Sequence, residues 1–348
     1  MSREWEPPLP AGYNDANRAF IQAFMARGTL TFPEAQKVLA GIKTALENRD
    51  PNDPVSPDTI TMTDFENFIR SARDAIEPLD YDIRNMRDQT DRRGERIWAF
   101  INAHSDPATQ LGTTRTPEEV AYIKRLLDAM FEEYNTPRME VMAVDEGQAL
   151  RVSRPTGRRQ SNINGDEAAE NSGSENGAPT STAASRGLKH SEVLSLLSSL
   201  VAEGWLNKSE AGFYRLTERA LIELWSWLMA TYNDNETEAD NGDGPEWQCI
   251  KFCEACKEIV TDGQRCDEPD CLVRLHDFCE DAFWRMQGSR ADGERKCPKC
   301  GTGWTGNHFV GERAVTSRVG YQRSRAGRRG GRRSQAVAEP NETDEEED

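Results

Sequence analysis

Cys253-Glu-Ala-Cys256, Cys266-Asp-Glu-Pro-Asp-Cys271, His276-Asp-Phe-Cys279 and Cys297-Pro-Lys-Cys300 follow one another near the end of a 348-residue chain. These four pairs hold seven of its eight cysteines, and residues 1–248 hold none, so the cysteines serve one local purpose. A disulfide framework is the plain alternative, but such frameworks suit small secreted chains, and nothing in this sequence points to an oxidising compartment. Metal is the better reading. Zinc takes four sulfur or imidazole ligands in a tetrahedron, and structural sites leave no position open, so eight ligands serve two ions. A two-residue gap lets a tight turn aim both side chains of a pair at one ion. A segment this short cannot close two separate sites from neighbouring pairs without long-range pairing, and interleaving supplies it. Cys253, Cys256, His276 and Cys279 are expected on the first zinc, and Cys266, Cys271, Cys297 and Cys300 on the second. The crossed brace replaces a core that the segment is too small to build, so metal affinity becomes folding free energy. Cys249 is left over, as a free thiol or as a substitute for Cys253.

Upstream, helix-start chemistry sets the frame. Thr31-Phe-Pro-Glu34, Thr63-Asp-Phe-Glu66 and Thr116-Pro-Glu-Glu119 read as capping boxes, in which a Thr oxygen and the Glu three residues later satisfy each other's backbone donors. A further helix starting near Asn17 would bury Phe20, Ile21, Phe24 and Met25 on one face. Tyr81 to Met86 alternates, Asp91-Arg-Arg-Gly94 turns, and Arg96 to Ile101 returns as a strand. Three helices followed by a hairpin make a winged helix, expected over residues 13–104. The pattern recurs over 116–232. A helix runs from Thr116 to about Tyr134 and a short piece spans Asp145 to Leu150. A helix from Ser191 to Glu203 faces Val193, Leu197, Leu200 and Val201 inward, wing strands surround Gly212, and Thr217 caps a last helix carrying Leu221, Leu224, Trp225 and Leu228.

One segment inserted within the second unit and two beyond it read differently. Residues 153–186 are Ser, Asn, Gly, Ala and Glu with few large apolar side chains, and cannot offset their ordering entropy, so disorder is expected. An acidic linker, 233–246, precedes the zinc module of 247–310. From 311 to 348 an Arg/Gly stretch and then an acidic run are expected to be disordered.

With 43 basic against 60 acidic side chains, the net charge of −17 argues against a surface that coats nucleic acid throughout. The chain shows neither a signal-peptide run nor the roughly 18 apolar residues that span a bilayer. The third helix of the second winged helix exposes Ser191, Glu192, Ser195, Ser198, Ser199 and Glu203 without Lys or Arg, which argues against groove insertion. Its counterpart mixes Asp64, Glu66, Asn67, Arg70, Arg73 and Asp74. Protein docking is the better reading for both. His104 and His190 lie far from any cysteine and carry no catalytic constellation.

The order of four cysteines, one histidine and three cysteines is shared by RING-variant and PHD-type modules. Beside a paired winged-helix pattern it resembles the RING-like, ubiquitin-ligase-associated finger of the non-SMC element one family, subunits of the SMC five/six chromosome-maintenance complex. The resemblance covers most of residues 13–306. The expected fold is mainly α with small β hairpins: tandem winged helices followed by a two-zinc, cross-braced RING-like domain. The resemblance implies a nuclear, chromosome-associated protein of DNA repair and recombination. It implies docking to a MAGE-type partner that meets a kleisin, and a RING-type E3 ubiquitin-protein ligase that positions a ubiquitin-charged conjugating enzyme without a nucleophile of its own. Ile259, Trp284 and Pro298 are the candidate contacts for that enzyme. Two positions depart from the ligase pattern: Ala255 stands where a larger aliphatic is common, and Gly301 where an activating arginine is. The Arg-rich tail can hold DNA weakly by charge, but a solvated, self-neutralising tail is the more frequent case for such a composition. The alternatives are a PHD-like histone-tail reader, against which Arg295 replaces the usual aromatic two residues before the seventh ligand, and a non-catalytic structural subunit.

Overall fold

The computed structural model describes residues 12–47, 50, 52–103, 114–155, 187–233, 247–288 and 295–323. Two winged helices and a zinc-finger-like module follow one another along it. In the first, α1 (Asp15–Arg27), β1 (Thr29–Thr31), α2 (Phe32–Leu46) and α3 (Met62–Ile76) lead into the hairpin β2 (Tyr81–Arg87) and β3 (Arg96–Asn102). The sheet runs β1-β3-β2, all antiparallel. In the second, α4 (Pro117–Asp128) continues through a π-helical turn, Ala129–Glu133, into β4 (Asn135–Thr136), β5 (Met139–Glu140) and β6 (Val144–Asp145). Helices α5 (Glu146–Arg151) and α6 (His190–Ala202), strands β7 (Leu206–Lys208) and β8 (Phe213–Leu216), and helices α7 (Glu218–Glu223) and α8 (Trp225–Tyr232) complete it. Its sheet runs β6-β8-β7, again first, third, second.

Local chemistry sets most helix starts. Glu34 accepts from the Thr31 amide at 2.8 Å, and Glu119 from the Thr116 amide at 2.8 Å. α3 differs from expectation: its cap is Thr61, whose hydroxyl accepts from the Asp64 amide at 3.1 Å, and Thr63 lies within the helix. That start buries Phe65, Ile69, Ala72 and Ile76 together. α1 starts two residues early, at Asp15, capped by Asn14. Phe20, Ile21 and Phe24 enter the core as expected, but Met25 is 58% exposed, one position past the buried stripe. In α6, Val193, Leu197 and Leu200 are buried with Leu196, and Val201 is only half-buried. The helix that Thr217 caps breaks at Leu224, which turns Trp225 outward to 42% exposure.

The hairpin β2-β3 is buried on both faces. Trp98 and Phe100 pack with Phe20, Phe24 and Phe65 inside the first winged helix. Ala99, Ile101 and Met86 point the other way, into a core that runs without a break through the second winged helix and the cysteine-rich module. α7 covers that face, and Glu223 accepts from the Asn102 amide at 3.4 Å.

The cysteine-rich module contains β9 (Gly263–Arg265), β10 (Arg274–Leu275), α9 (Asp277–Met286) and β11 (Phe309–Val310), with β9 central in the sheet. Order does not stop at 310. α10 (Arg313–Thr316) follows, and Ala314, Val315 and Tyr321 pack on Val141, Ala143 and Phe213 of the second winged helix. Arg313 pairs with Asp262 at 2.9 Å and Asp277 at 2.8 Å. Disorder from residue 311 was therefore the wrong expectation for 311–323, where these side chains have buried partners that composition does not reveal. His104, most of the polar insert (156–186), the linker after Asn233 (234–246) and the tail from 324 lie outside the described residues. Among the described residues no helix is long and apolar enough to cross a membrane.

Candidate metal centres

Two hairpin knuckles of the same design frame the module. In the first, the Cys253 amide donates to Glu258 at 2.8 Å and the Lys257 amide to Cys253 at 2.9 Å. In the second, the Cys297 amide donates to Thr302 at 2.8 Å and the Gly301 amide to Cys297 at 2.9 Å. Each turn places the residue after its second cysteine in the left-handed region, Lys257 at φ 64° and Gly301 at φ 74°. This explains Gly301: the backbone there favours a residue without Cβ, and an arginine would be strained as Lys257 is.

The knuckles, β10 and the start of α9 bring the ligand atoms together. Cys253, Cys256, His276 and Cys279 form one group and Cys266, Cys271, Cys297 and Cys300 another, with the donor atoms of each group within 4.8 Å of one another. Cys266 Sγ lies 3.4 Å from Cys300 Sγ, and Cys271 Sγ 3.6 Å from Cys297 Sγ. A disulfide would need about 2.05 Å. Ligands 2.3 Å from a tetrahedral zinc stand about 3.8 Å apart, so the spacing and the soft donor sets fit two zinc ions. The pairs are interleaved, first with third and second with fourth, and Cys249 lies outside both groups. Burial pushes the Cys249 thiol up, and Asn135 binds its carbonyl at 2.7 Å.

His276 caps α9 and is fully buried. Its Nδ1 sits 3.3 Å from Cys256 Sγ, while Nε2 lies 3.0 Å from the Ile259 carbonyl, which accepts from it. That second contact fixes the tautomer, leaving Nδ1 free for a metal. The opposite side of the module rests on Glu140, a fully buried carboxylate from β5. Arg274 donates to both its oxygens, through Nε at 2.7 Å and through Nη2, with Arg265 at 3.2 Å and Lys251 at 3.4 Å. Arg274 also donates to the carbonyls of Cys271 and Val273, at 2.6 and 2.8 Å, and so holds the loop of the second group.

Of the three candidate enzyme contacts, only Pro298 is exposed. Ile259 is 0% exposed and Trp284 3%, so both serve the core. Trp284 stacks edge-on against Phe283 and Trp304, as a module with so little apolar sequence requires. Ala255 is exposed, and Glu254 reaches Lys299 at 3.5 Å, which joins the two knuckle loops. The residues that sequence reasoning missed, Gln89, Glu140 and Arg274, are polar and have distant partners, and no local pattern marks them.

A family model described as Nse1 non-SMC component of SMC5-6 complex matches residues 17–224, more than half of the chain. The chain belongs to the Nse1 family. A RING-like domain model matches residues 253–300, the span of the two ligand groups. The chain is 21% identical over 250 residues to non-structural maintenance of chromosomes element 1 of Schizosaccharomyces pombe, covering 71% of this chain and 79% of that protein. To the Xenopus laevis homolog it is 28% identical over 120 residues, covering 34% of this chain and 36% of that one. A solved structure titled Nse1-Nse3-Nse4 complex matches its fold, with a TM-score of 0.59 at 18% identity, over 85% of this chain and 99% of that chain. This Nse1 family member thus carries tandem winged helices and a C-terminal RING-like domain with two Cys/His groups suited to two zinc ions.

Proposed function

We propose that the chain acts in the nucleus as the Nse1 subunit of an SMC5-6 complex in DNA repair and recombination, and that its RING-like domain promotes ubiquitin transfer. Cys253, Cys256, His276 and Cys279 would hold one zinc ion, and Cys266, Cys271, Cys297 and Cys300 the other. Four protein donors per ion leave no open position, so the metals supply rigidity to the two loops. The surface that supports the ligase reading is the exposed Pro298, on a knuckle loop joined to its counterpart by Glu254 and Lys299; Ala255, exposed on that counterpart, keeps its departure from the ligase pattern. Such a platform needs no nucleophile: holding a charged conjugating enzyme in a reactive geometry lowers the entropic part of the barrier.

By its likeness to the Nse1-Nse3-Nse4 complex, the chain is proposed to assemble with counterparts of Nse3 and Nse4, the MAGE-type subunit and the kleisin. A groove of about 730 Å³ on the first winged helix, lined by Arg70, Arg73, Glu66, Asp74 and Glu77, suits protein better than duplex DNA. Its charges are mixed, and Arg73 is already paired with Asp82 at 2.8 Å. A weak DNA contact is proposed only for the arginines beyond Arg318, since Arg313 is engaged within the fold. The histone-reader alternative loses support from its aromatics, because Trp284 and Trp304 are buried against each other and form no open cage.

The test is ubiquitin-chain formation by the full chain with its MAGE-type partner and a panel of conjugating enzymes. Pro298→Ala, at an exposed site, is expected to lower transfer about tenfold, a loss near 1.4 kcal/mol, with zinc content unchanged. Transfer with no enzyme of the panel would favour the purely structural subunit, and equal transfer by the variant would show that Pro298 does not contact the conjugating enzyme.

A further inference from the structure

The first winged helix reaches the first ligand group through the tip of its own hairpin. Gln89, in the β2-β3 turn, is 3% exposed, and apart from a contact of Nε2 with Met86 Sδ at 3.8 Å its side-chain amide is spent on the RING-like domain. Its Nε2 donates to the Ile259 carbonyl at 3.0 Å. Its Oε1 accepts from the Thr261 amide at 2.8 Å, the Thr261 hydroxyl at 3.2 Å and the Asp262 amide at 3.2 Å. The Ile259 carbonyl is the one that receives His276 Nε2. The turn also holds the ring of that histidine. His276 lies flat on Phe278, with centroids 4.7 Å apart at 12°, and Arg87 stands over Phe278 at 5.5 Å. On Gly94, at φ 59°, a Cβ would come within 2.6 Å of the Phe278 ring, so the hairpin and the aromatic are in direct contact. Both Nε2 and one face of the histidine ring therefore rest on groups that the hairpin fixes. The second group is braced from elsewhere, by Arg274 and Glu140.

We infer that Gln89 is a positioning residue of the first metal centre, so that docking of the first winged helix selectively strengthens metal binding by Cys253, Cys256, His276 and Cys279. Groups that orient a metal-bound histidine through its other nitrogen are worth about 10–100-fold in affinity. Gln89 stands one step behind such a group, and the lower end applies. By reciprocity, occupancy of that centre holds the winged helix to the RING-like domain.

The inference rests on reading the two groups as metal sites, and cadmium-113 NMR of the full chain separates the two questions. Two resonances, one from a three-sulfur, one-nitrogen set and one from a four-sulfur set, are expected for the parent chain; any other pattern overturns the site reading itself. With two resonances in hand, Gln89→Ala is expected to lower affinity at the mixed site about tenfold in competition with a chelator, leaving the four-sulfur site within about twofold. Gln89→Glu keeps the three acceptor contacts and loses the donor to Ile259, and should show the same selective loss if the alanine variant does not fold. Unchanged affinity at the mixed site, or equal weakening of both sites, would overturn the inference.

Discussion

Glutamine in place of Glu140 is expected to cost the folded chain about 3–5 kcal/mol, the usual penalty for removing one partner of a buried ion pair. The substitution keeps the volume and takes away the carboxylate that Arg274, Arg265 and Lys251 share. Those cations are almost wholly buried, so water cannot replace it. Burial works to raise the Glu140 carboxyl, but the hydrogen bonds of Arg274 and the charges of Arg274, Lys251 and Arg265 outweigh it and hold the group below its ordinary value of 4.5. Burial likewise pushes the Lys251 ammonium down to about 8, despite Glu140 beside it. The sign for Glu140 follows from linkage: its contribution is full above pH 4.5 and disappears as the pH falls through the lower folded value. Denaturant unfolding of the metal-loaded variant and parent at pH 7 checks the cost. A difference under about 1 kcal/mol would mean that the cluster does not join β5 to the RING-like domain.

The larger effect is expected from metal removal. Structural zinc contributes apparent free energies of about 10–16 kcal/mol per ion, far more than the few apolar residues of this module could replace. A chelator with a reductant at neutral pH should therefore unfold residues 250–310. Amide exchange should show Val260, Val273 and Leu275 losing protection, with partial loss in the second winged helix that shares their core. Phe20, Leu39 and Phe65 belong to a separate core and should keep theirs. Uniform loss across both cores would show that the modules fold as one unit, and no loss would show that the ligand groups do not hold the domain.

The zinc module was legible because its chemistry is local and periodic: pairs spaced for a knuckle turn can be read without knowing the fold, and interleaving follows from the shortness of the segment. The winged helices were legible for a similar reason, since capping boxes and alternating strands are short-range signals. The misplaced start of α3 shows the limit of such signals. Thr61 and Thr63 each precede an acid by three residues, and burial of Phe65 and Ile69 decides between them. Arg274 and Glu140 are 134 positions apart, and Gln89 and Ile259 are 170 apart. Such buried polar pairs leave no trace in composition or period. Ile259 and Trp284 failed as surface candidates for a different reason: a domain with so few large apolar residues uses nearly all of them inside.

Everything rests on eight donors arranged around two ions, and native mass spectrometry of the folded, reduced chain reads that directly. Two zinc ions per chain are expected, unchanged in Cys249→Ala, whose thiol lies outside both groups. A mass corresponding to one zinc, or to none, would contradict the interleaved brace.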